Sequence, residues 1–248
     1  MSGVVIVTGA SRGIGAATAR MAASRGYAVL VNYRDRADAA HTVVADITRA
    51  GGRAIAVQAD VSIEDDVMRM FEACDAQLGA LNALVNNAGI VGLQAKLEAI
   101  DGARMQRMFG INVIGSLLCA REAVKRMSTA RGGRGGAIVN LSSIAARLGS
   151  PNEYVDYAAS KGAIESFTIG LAREVAAEGI RVNAVRAGLT YTDIHASSGE
   201  PDRVNRLKAG VPMQRGGQPE EIARAILWLL SDDASYSTGA IVDVSGGR

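Results

Sequence analysis

The sequence has few cysteines and no long apolar run. Its 248 residues include only two cysteines, Cys74 and Cys119, and they do not form a CxxC pair. This argues against a disulfide framework and against a cysteine-based zinc site, and two reduced thiols are typical of a cytoplasmic protein. No apolar run approaches the roughly 18 residues of a transmembrane helix, and a strand predicted from Val4 leaves no room for a signal peptide. We therefore expect a cytoplasmic protein with no membrane contact.

The sequence also lacks an excess of charge of one sign. Lysine and arginine total 27, and aspartate and glutamate total 25, which gives a formal net charge of +2. The basic residues are scattered, whereas a nucleic-acid surface needs a basic patch. The basic glycine-rich stretch RGGRG at residues 131–135 could suggest an RNA-binding segment, but we expect a surface loop between a helix and a strand. No nucleic-acid partner is predicted.

Histidine is scarce as well, with only His41 and His195 in the chain. We expect His41 on the surface of a helix. His195 lies in the segment 189–211 and could touch substrate, but we expect an ordinary solvent-exposed residue. Neither belongs to a cluster of ligand residues, so no metal site is predicted.

Short β-branched runs alternate with longer amphipathic segments along the whole chain. They predict strands at residues 4–7, 28–32, 54–58, 84–85, 137–141, 181–185 and 240–244, and helices at residues 14–24, 37–50, 63–78, 102–127, 154–178 and 220–231. Strands that are apolar throughout and separated by helices indicate a parallel sheet covered on both faces. We therefore predict the α/β class: a single doubly wound Rossmann domain over residues 1–248, with a seven-stranded parallel sheet and helices on both faces.

One stretch interrupts this alternation. Residues 189–211 are rich in serine, glycine and charged side chains. A long excursion of this kind in a compact fold is often a lid over a site. We predict that residues 189–211 form a substrate flap.

A glycine-rich turn follows the first predicted strand, with the sequence TGASRGIG at residues 8–15. Glycines there allow the backbone to approach a pyrophosphate, and the N-terminus of the following helix offers free N–H groups and a positive dipole end. A tight strand–helix turn with incidental glycines would look the same. The turn alone therefore does not decide between cofactor binding and a structural role.

The end of the second predicted strand bears on the choice of dinucleotide. It reads Val31-Asn32-Tyr33-Arg34, without the acidic side chain that accepts hydrogen bonds from the ribose hydroxyls of NAD. Arg34 here and Arg12 in the glycine turn could make charge-assisted bonds to a 2′-phosphate. We therefore expect NADP(H) as the cofactor.

Tyr157 and Lys161 are the candidate acid–base pair. Their i,i+4 spacing places both side chains on one face of a predicted helix, where an ammonium would lower the pKa of the phenol. Such a spacing occurs by chance in many helices, but the strand at 137–141 delivers Ser142 and Ser143 to the edge of the sheet where ligands bind. Tyr154 has an alanine at i+4, so we expect it to pack or to line the site.

Together these motifs resemble the short-chain dehydrogenase/reductase family over essentially the whole chain. The glycine turn resembles the TGxxxGxG motif of that family, residues 86–89 its NNAG motif, and residues 157–161 its YxxxK motif. The resemblance implies Asn112, Ser143, Tyr157 and Lys161 as catalytic residues. With the two arginines, it implies a cofactor-binding set of Gly9, Ser11, Arg12, Gly13, Ile14, Gly15, Arg34, Asp60, Val61, Asn87, Ala88, Gly89, Tyr157, Lys161, Gly188, Thr190 and Thr192.

Two positions depart from the family pattern. Ser143 lies fourteen residues before Tyr157, one more than is usual, which we interpret as an insertion within residues 149–153. The alternative is that Ser142 points outward or stacks on the cofactor. Ala187 replaces the proline that the family usually has before Gly188, which removes a restraint on the turn under the nicotinamide.

The sequence therefore predicts an NADP(H)-dependent oxidoreductase that transfers a hydride between the nicotinamide and a small ketone or secondary alcohol. Within the family it resembles the 3-oxoacyl-carrier-protein reductases and the sugar dehydrogenases. The alternative is a non-catalytic dinucleotide-binding or regulatory protein on the same fold. The family and the two long apolar-faced helices imply a homotetramer.

Overall fold

Seven parallel strands form the central sheet of the computed structural model, which describes residues 3–248. Their order in the sheet is β3-β2-β1-β4-β5-β6-β7, and every pairing is parallel. Because β1 pairs with both β2 and β4, the strand order reverses there, and a crevice forms where such sheets bind ligands. The strands are β1 (Gly3–Val7), β2 (Tyr27–Tyr33), β3 (Arg53–Gln58), β4 (Leu81–Asn86), β5 (Gly136–Ser143), β6 (Ile180–Ala187) and β7 (Ile241–Val244).

Helices cover both faces of the sheet because successive strand side chains point to opposite sides. Val5 and Val7 pack into one buried cluster with α1, α2 and α10, whereas Val4 and Ile6 pack into the other with α3, α5 and α7. The helices are α1 (Gly13–Ser24), α2 (Ala37–Arg49), α3 (Glu64–Gln77), α4 (Gly102–Phe109), α5 (Gly115–Met127), α6 (Ala145–Leu148), α7 (Val155–Val175), α8 (Ile194–Ser197), α9 (Arg203–Leu207) and α10 (Pro219–Leu230). The predicted fold class is confirmed.

Three predicted elements differ from the observed ones. The strand predicted at residues 84–85 is β4 (Leu81–Asn86), which is longer because polar Asn82 interrupts its apolar pattern. The single helix predicted at residues 102–127 is α4 and α5 joined by a π-helical turn, Gly110–Ile114. The helix predicted at residues 154–178 starts one residue later, and after Val175 it ends in a 3₁₀ turn, Ala176–Glu178.

Candidate active site

A cavity of about 570 Å³ opens at the carboxyl edge of the sheet. Its volume lies within the range of small-molecule and cofactor sites. The predicted site residues that line it are Gly9, Ser11, Arg12, Gly13, Ile14, Arg34, Asp60, Val61, Asn87, Ala88, Gly89, Ser143, Tyr157, Lys161, Gly188, Thr190 and Thr192. Gly15 and Asn112 lie behind this wall. The structure therefore brings almost all of the predicted site residues around one space.

The glycine turn is packed so closely that side chains would not fit. Gly9 has a φ of +60°, and a Cβ atom there would lie 2.9 Å from the Cα of Ala88. A Cβ atom at Gly15 would lie 2.6 Å from the carbonyl oxygen of Gly9. No side chain caps the N-terminus of α1, so its first N–H groups are left for a ligand. A dinucleotide pyrophosphate fits this arrangement.

The segment after β4 is hydrogen-bonded to the glycine turn. The backbone N–H groups of Asn87 and Ala88 both donate to the hydroxyl of Thr8 at 3.0 Å. The side-chain amide of Asn87 donates to the carbonyl oxygens of Thr8 and Gly9 at 2.8 and 3.0 Å. These bonds hold the two sides of the crevice at a fixed separation.

The two arginines predicted to bind a 2′-phosphate both line the cavity, and each contacts another side chain of the protein. Arg34 forms an ion pair with Asp35 at 2.6 Å and lies 3.9 Å from Asp60. Arg12 donates to the hydroxyl of Ser197, in α8 of the flap, at 3.3 Å. Arg12 thus connects the glycine turn to the flap.

Tyr157 and Ser143 both line the cavity, and Ser143 is close enough to Tyr157 to influence the pKa of its hydroxyl. The ammonium of Lys161 lies 5.7 Å from the centre of the Tyr157 ring and donates to the carbonyl oxygen of Leu141 at 2.7 Å. The hydroxyl of Ser142 instead donates to Glu165 at 2.7 Å. Of the two candidate serines, Ser143 is therefore the one that faces Tyr157.

The ionisation of this pair differs from the expectation that the ammonium lowers the pKa of Tyr157. Burial raises the pKa of Tyr157, and the hydrogen bond from Ser143 opposes that shift only in part. Burial also lowers the pKa of Lys161 to about 8. The expectation of a lowered Tyr157 pKa is therefore wrong for the protein chain by itself. Removal from water penalises the charged forms of both Tyr157 and Lys161.

Asn112 is fully buried in the π-helical turn between α4 and α5. Its side-chain amide donates to the carbonyl oxygen of Ile90 at 3.0 Å and to the hydroxyl of Ser160 at 3.1 Å, and it accepts from the N–H of Ile90 at 2.8 Å. Its backbone carbonyl accepts from Ser116 at 3.1 Å. Asn112 therefore ties α7, beside Lys161, to the segment that follows β4.

Residues 149–153, where the insertion is predicted, form a strained loop at the cavity wall. Gly149, Ser150 and Asn152 have φ values of +72°, +45° and +62°, and non-glycine residues rarely adopt this left-handed region. Ser150, Pro151 and Glu153 line the cavity. This conformation accommodates the longer connection between Ser143 and α7, and such strain is often found at functional sites.

The segment predicted as a flap, residues 189–211, contains α8 and α9 and has a small core of Leu189, Val204 and Val211. The expectation of a solvent-exposed His195 is wrong. His195 is half-buried in the cavity wall, and its Nε2 lies 3.0 Å from the carbonyl oxygen of Thr190. His195 belongs to the four-residue helix α8, which loop composition does not reveal.

Sequence reasoning missed several residues that hold the site in place. Asn32, in apolar β2, accepts from the N–H of Gly9 at 3.1 Å, and its polarity in that strand was an available signal. Arg104 of α4 forms two hydrogen bonds to Asp156, at 2.8 and 3.1 Å, and so anchors the start of α7 beside Tyr157. Because Arg104 is distant from Asp156 in the sequence, no sequence pattern indicated this contact.

Within residues 3–248, no helix has the length and apolar character required to cross a membrane. In the same part of the chain, no group of three or more histidine, cysteine, aspartate or glutamate side chains is placed to hold a metal ion. Cys74 and Cys119 are both buried free thiols, and burial raises the pKa of each to about 12.

Comparisons with known proteins agree with this geometry. A family model described as "Enoyl-(Acyl carrier protein) reductase" matches residues 9–248. The chain is 58% identical over 245 residues to "Uncharacterized oxidoreductase YgfF" of Escherichia coli (strain K12), covering 99% of each protein. It is 39% identical over 250 residues to "3-oxoacyl-[acyl-carrier-protein] reductase" of Synechocystis sp. (strain ATCC 27184 / PCC 6803 / Kazusa), covering 98% of this chain and 96% of that protein.

A solved structure shares the whole architecture. The crystal structure of a short-chain type dehydrogenase/reductase from Mycobacterium marinum superposes with a TM-score of 0.92 at 33% sequence identity. The match covers 99% of this chain and 94% of that one.

Proposed function

Because the chain belongs to the short-chain dehydrogenase/reductase family and is an oxidoreductase of that type, we propose that it is an NADP(H)-dependent enzyme acting on a small ketone or secondary alcohol. The observation that carries this proposal is the pair Ser143 and Tyr157 beside Lys161, all three of which line the cavity. The pair lies in the same cavity as the glycine turn. One ligand-binding space thus offers both a proton donor and a pyrophosphate site.

Tyr157 transfers the proton, and three other side chains support it. In the direction of reduction, the hydroxyl of Tyr157 donates its proton to the carbonyl oxygen of the substrate, and Ser143 donates a hydrogen bond to the same oxygen. In the direction of oxidation, Tyr157 accepts the proton of the alcohol. Lys161 stabilises the phenolate and binds the ribose hydroxyls, and Asn112 holds α7 in position for both. A bound nicotinamide supplies or accepts the hydride.

NADP(H) is proposed over NAD(H) because of the charges around the end of β2. A 2′-phosphate placed there would meet Arg34 and Arg12 and would accept charge-assisted hydrogen bonds from both. Binding would replace the bonds that these arginines now make to Asp35 and Ser197. Asp60, Val61 and the segment after β4 would then hold the adenosine, and Gly188, Thr190 and Thr192 the carboxamide.

We further propose a cytoplasmic homotetramer. Apolar side chains of the long helices are exposed, with Leu117 of α5 and Ile169 of α7 at 38% and 37% of their maximal surface. Pairing of these faces across two-fold axes would bury them. The two buried free thiols fit a reducing compartment.

The absorbance of NADPH tests the proposed activity directly. We expect oxidation of NADPH with one or more members of a panel of ketones, diketones, oxo esters and sugars, and at least tenfold lower kcat/KM with NADH. Tyr157→Phe should reduce turnover to background, because it removes the proton donor and leaves the cofactor-binding residues intact.

The matched control is Tyr236→Phe, since the side chain of Tyr236 is fully exposed and outside the cavity. This variant should keep the activity of the unchanged protein. Preference for NADH would overturn the cofactor assignment, and retention of most activity in Tyr157→Phe would overturn the role of Tyr157. Oxidation of NADPH with an enoyl thioester and with none of the ketones or sugars would overturn the proposed substrate class.

A further inference from the structure

Two hydrogen-bond donors without partners lie together at the cavity wall. Among the described residues, the buried side-chain atoms with no hydrogen-bond partner are Asn86 Oδ1, the Tyr154 hydroxyl and Arg203 Nη1. Tyr154 and Arg203 both line the cavity. Buried polar groups in folded proteins are normally paired, so unpaired donors on two stacked side chains of one cavity wall indicate that a ligand atom completes them.

The two side chains are held rigidly against each other. The guanidinium of Arg203 stacks 5.0 Å from the centre of the Tyr154 ring. Its Nη2 atom forms an ion pair with Glu153, so Nη1 is the part of the fork that remains free. Tyr154 is 4% exposed, and the side chain of Arg203 is 13% exposed. Little entropy remains to be lost when a ligand binds this pair.

The pair lies next to the proposed reacting centre. Tyr154 is the N-cap residue of α7, three positions before Tyr157, and both side chains line the same cavity. Arg203 comes from α9 and stacks on Tyr154 in this lining. A molecule whose reacting oxygen contacts Tyr157 would therefore extend its remaining atoms towards Tyr154 and Arg203.

The charges select the kind of atom that fits. Glu153 balances the charge of Arg203. Arg206, on the same helix, forms an ion pair with Glu200, which lies just before that helix. The unpaired groups are the N–H of Arg203 and the O–H of Tyr154, and both can donate to an acceptor oxygen. A cation at this position would be repelled by Arg203, and an apolar group would leave both donors unpaired.

We propose that Tyr154 and Arg203 bind a second oxygen of the substrate, which belongs to a carboxyl-derived group. The substrate class is then oxo acids or their esters and thioesters, together with the corresponding hydroxy compounds. This inference rests on the proposed function, because it places the reacting carbonyl at Tyr157. It adds a subsite that none of the predicted catalytic or cofactor residues supplies.

Matched substrates and two conservative variants test the subsite. Tyr154→Phe removes only the unpaired hydroxyl, and Arg203→Lys keeps the charge opposite Glu153 but loses the second nitrogen. The substrates are ethyl acetoacetate, acetoacetate, ethyl levulinate and levulinate, compared with methyl propyl ketone, which lacks the second oxygen. Arg215→Lys is the control, because Arg215 is likewise paired with a glutamate, Glu221, but lies outside the cavity.

We expect each subsite variant to lower kcat/KM about tenfold for the two-oxygen substrates, the size of one lost buried hydrogen bond, and to leave methyl propyl ketone nearly unchanged. The control should behave as the unchanged protein with every substrate. A preference for the acids would show that the group is a carboxylate, and a preference for the esters would show that it is an uncharged carbonyl; either supports the subsite. An equal loss with all substrates, or no loss with any, would overturn it.

Thermal unfolding separates this inference from the proposed function. Since the Tyr154 hydroxyl has no partner, Tyr154→Phe should unfold at a midpoint no lower than that of the unchanged protein. The best two-oxygen compound should raise the midpoint of the unchanged protein and should raise that of Tyr154→Phe less. This shift tests the subsite even if no ketone is reduced, a result that would count against the proposed activity alone. The same shift in both proteins would overturn the subsite.

Discussion

Lys161 is the candidate catalytic group whose protonation changes nearest to neutral pH. Burial lowers its pKa to about 8, whereas burial raises the pKa of Tyr157. At neutral pH the protein chain therefore holds Tyr157 as a proton donor and Lys161 largely as an ammonium. In the proposed mechanism, this is the protonation state that the reduction of a carbonyl requires, because Tyr157 must donate a proton to the substrate.

The pH dependence of the two directions should differ in sign. For reduction, we expect kcat/KM to be constant below about pH 8 and to fall above it as Lys161 loses its charge. For oxidation, the rate should rise with pH, because Tyr157 must be a phenolate to accept the proton. Steady-state kinetics in both directions from acid to alkaline pH, with the thermal midpoint measured at each pH, checks this. A rate of reduction that rises through pH 8 would contradict the assignment.

The side chains at the reacting centre could be chosen from sequence, but their ionisation could not. The i,i+4 spacing of Tyr157 and Lys161 is a local property of one helix, so the pair could be recognised directly. The direction of the Tyr157 pKa depends on burial against segments distant in sequence. The choice between Ser142 and Ser143 likewise depends on Glu165, which accepts a hydrogen bond from the hydroxyl of Ser142.

The turn between β1 and α1 is the element on which the proposed cofactor site depends most. A Cβ atom at Gly15 would lie 2.6 Å from the carbonyl oxygen of Gly9, 2.9 Å from the Cα of Ala10 and 2.5 Å from the side-chain amide of Asn87. Two of these contacts are with backbone, which cannot rotate away. An added methyl group must therefore push the turn apart.

Gly15→Ala should weaken NADPH binding at least tenfold and lower the free energy of unfolding by about 1–3 kcal/mol, as overpacking usually does. Fluorescence titration with NADPH and urea unfolding measure the two effects. Gly102→Ala is the control, since an added Cβ at Gly102 meets no atom within 4 Å. Unchanged NADPH affinity in Gly15→Ala would show that the turn does not hold the cofactor.

Regular elements were predictable, and irregular ones were not. Most strands of the sheet contain a continuous apolar run, and the long helices are long enough for their pattern to be recognised. The π-helical turn at Gly110–Ile114 leaves the apolar pattern of α4 and α5 nearly unbroken, so sequence indicated one helix. The short helices α6, α8 and α9 contain four or five residues each, too few for a period to be recognised.

The assembly of the whole molecule is predicted from its exposed apolar faces. Light scattering at micromolar concentration should give four times the 25.7 kDa mass of the chain. Ile169→Glu should reduce this mass, because it places a charge in the proposed contact of α7. Met68→Glu on α3 is the control, since Met68 is also exposed but lies on a different helix. A monomeric mass for the unchanged protein would contradict the tetramer.

The position of β1 in the middle of the sheet has a consequence for how the chain folds. The two central strands are joined by the hydrogen bond from Thr8 to Val85, which connects positions 77 residues apart. The crevice between them cannot form until that long loop has closed, and contacts of such separation slow folding. Until β4 has been synthesised, the edge of β1 that pairs with it stays open. An open strand edge is prone to aggregation, so we expect the strand that later carries the glycine turn to be vulnerable during this interval.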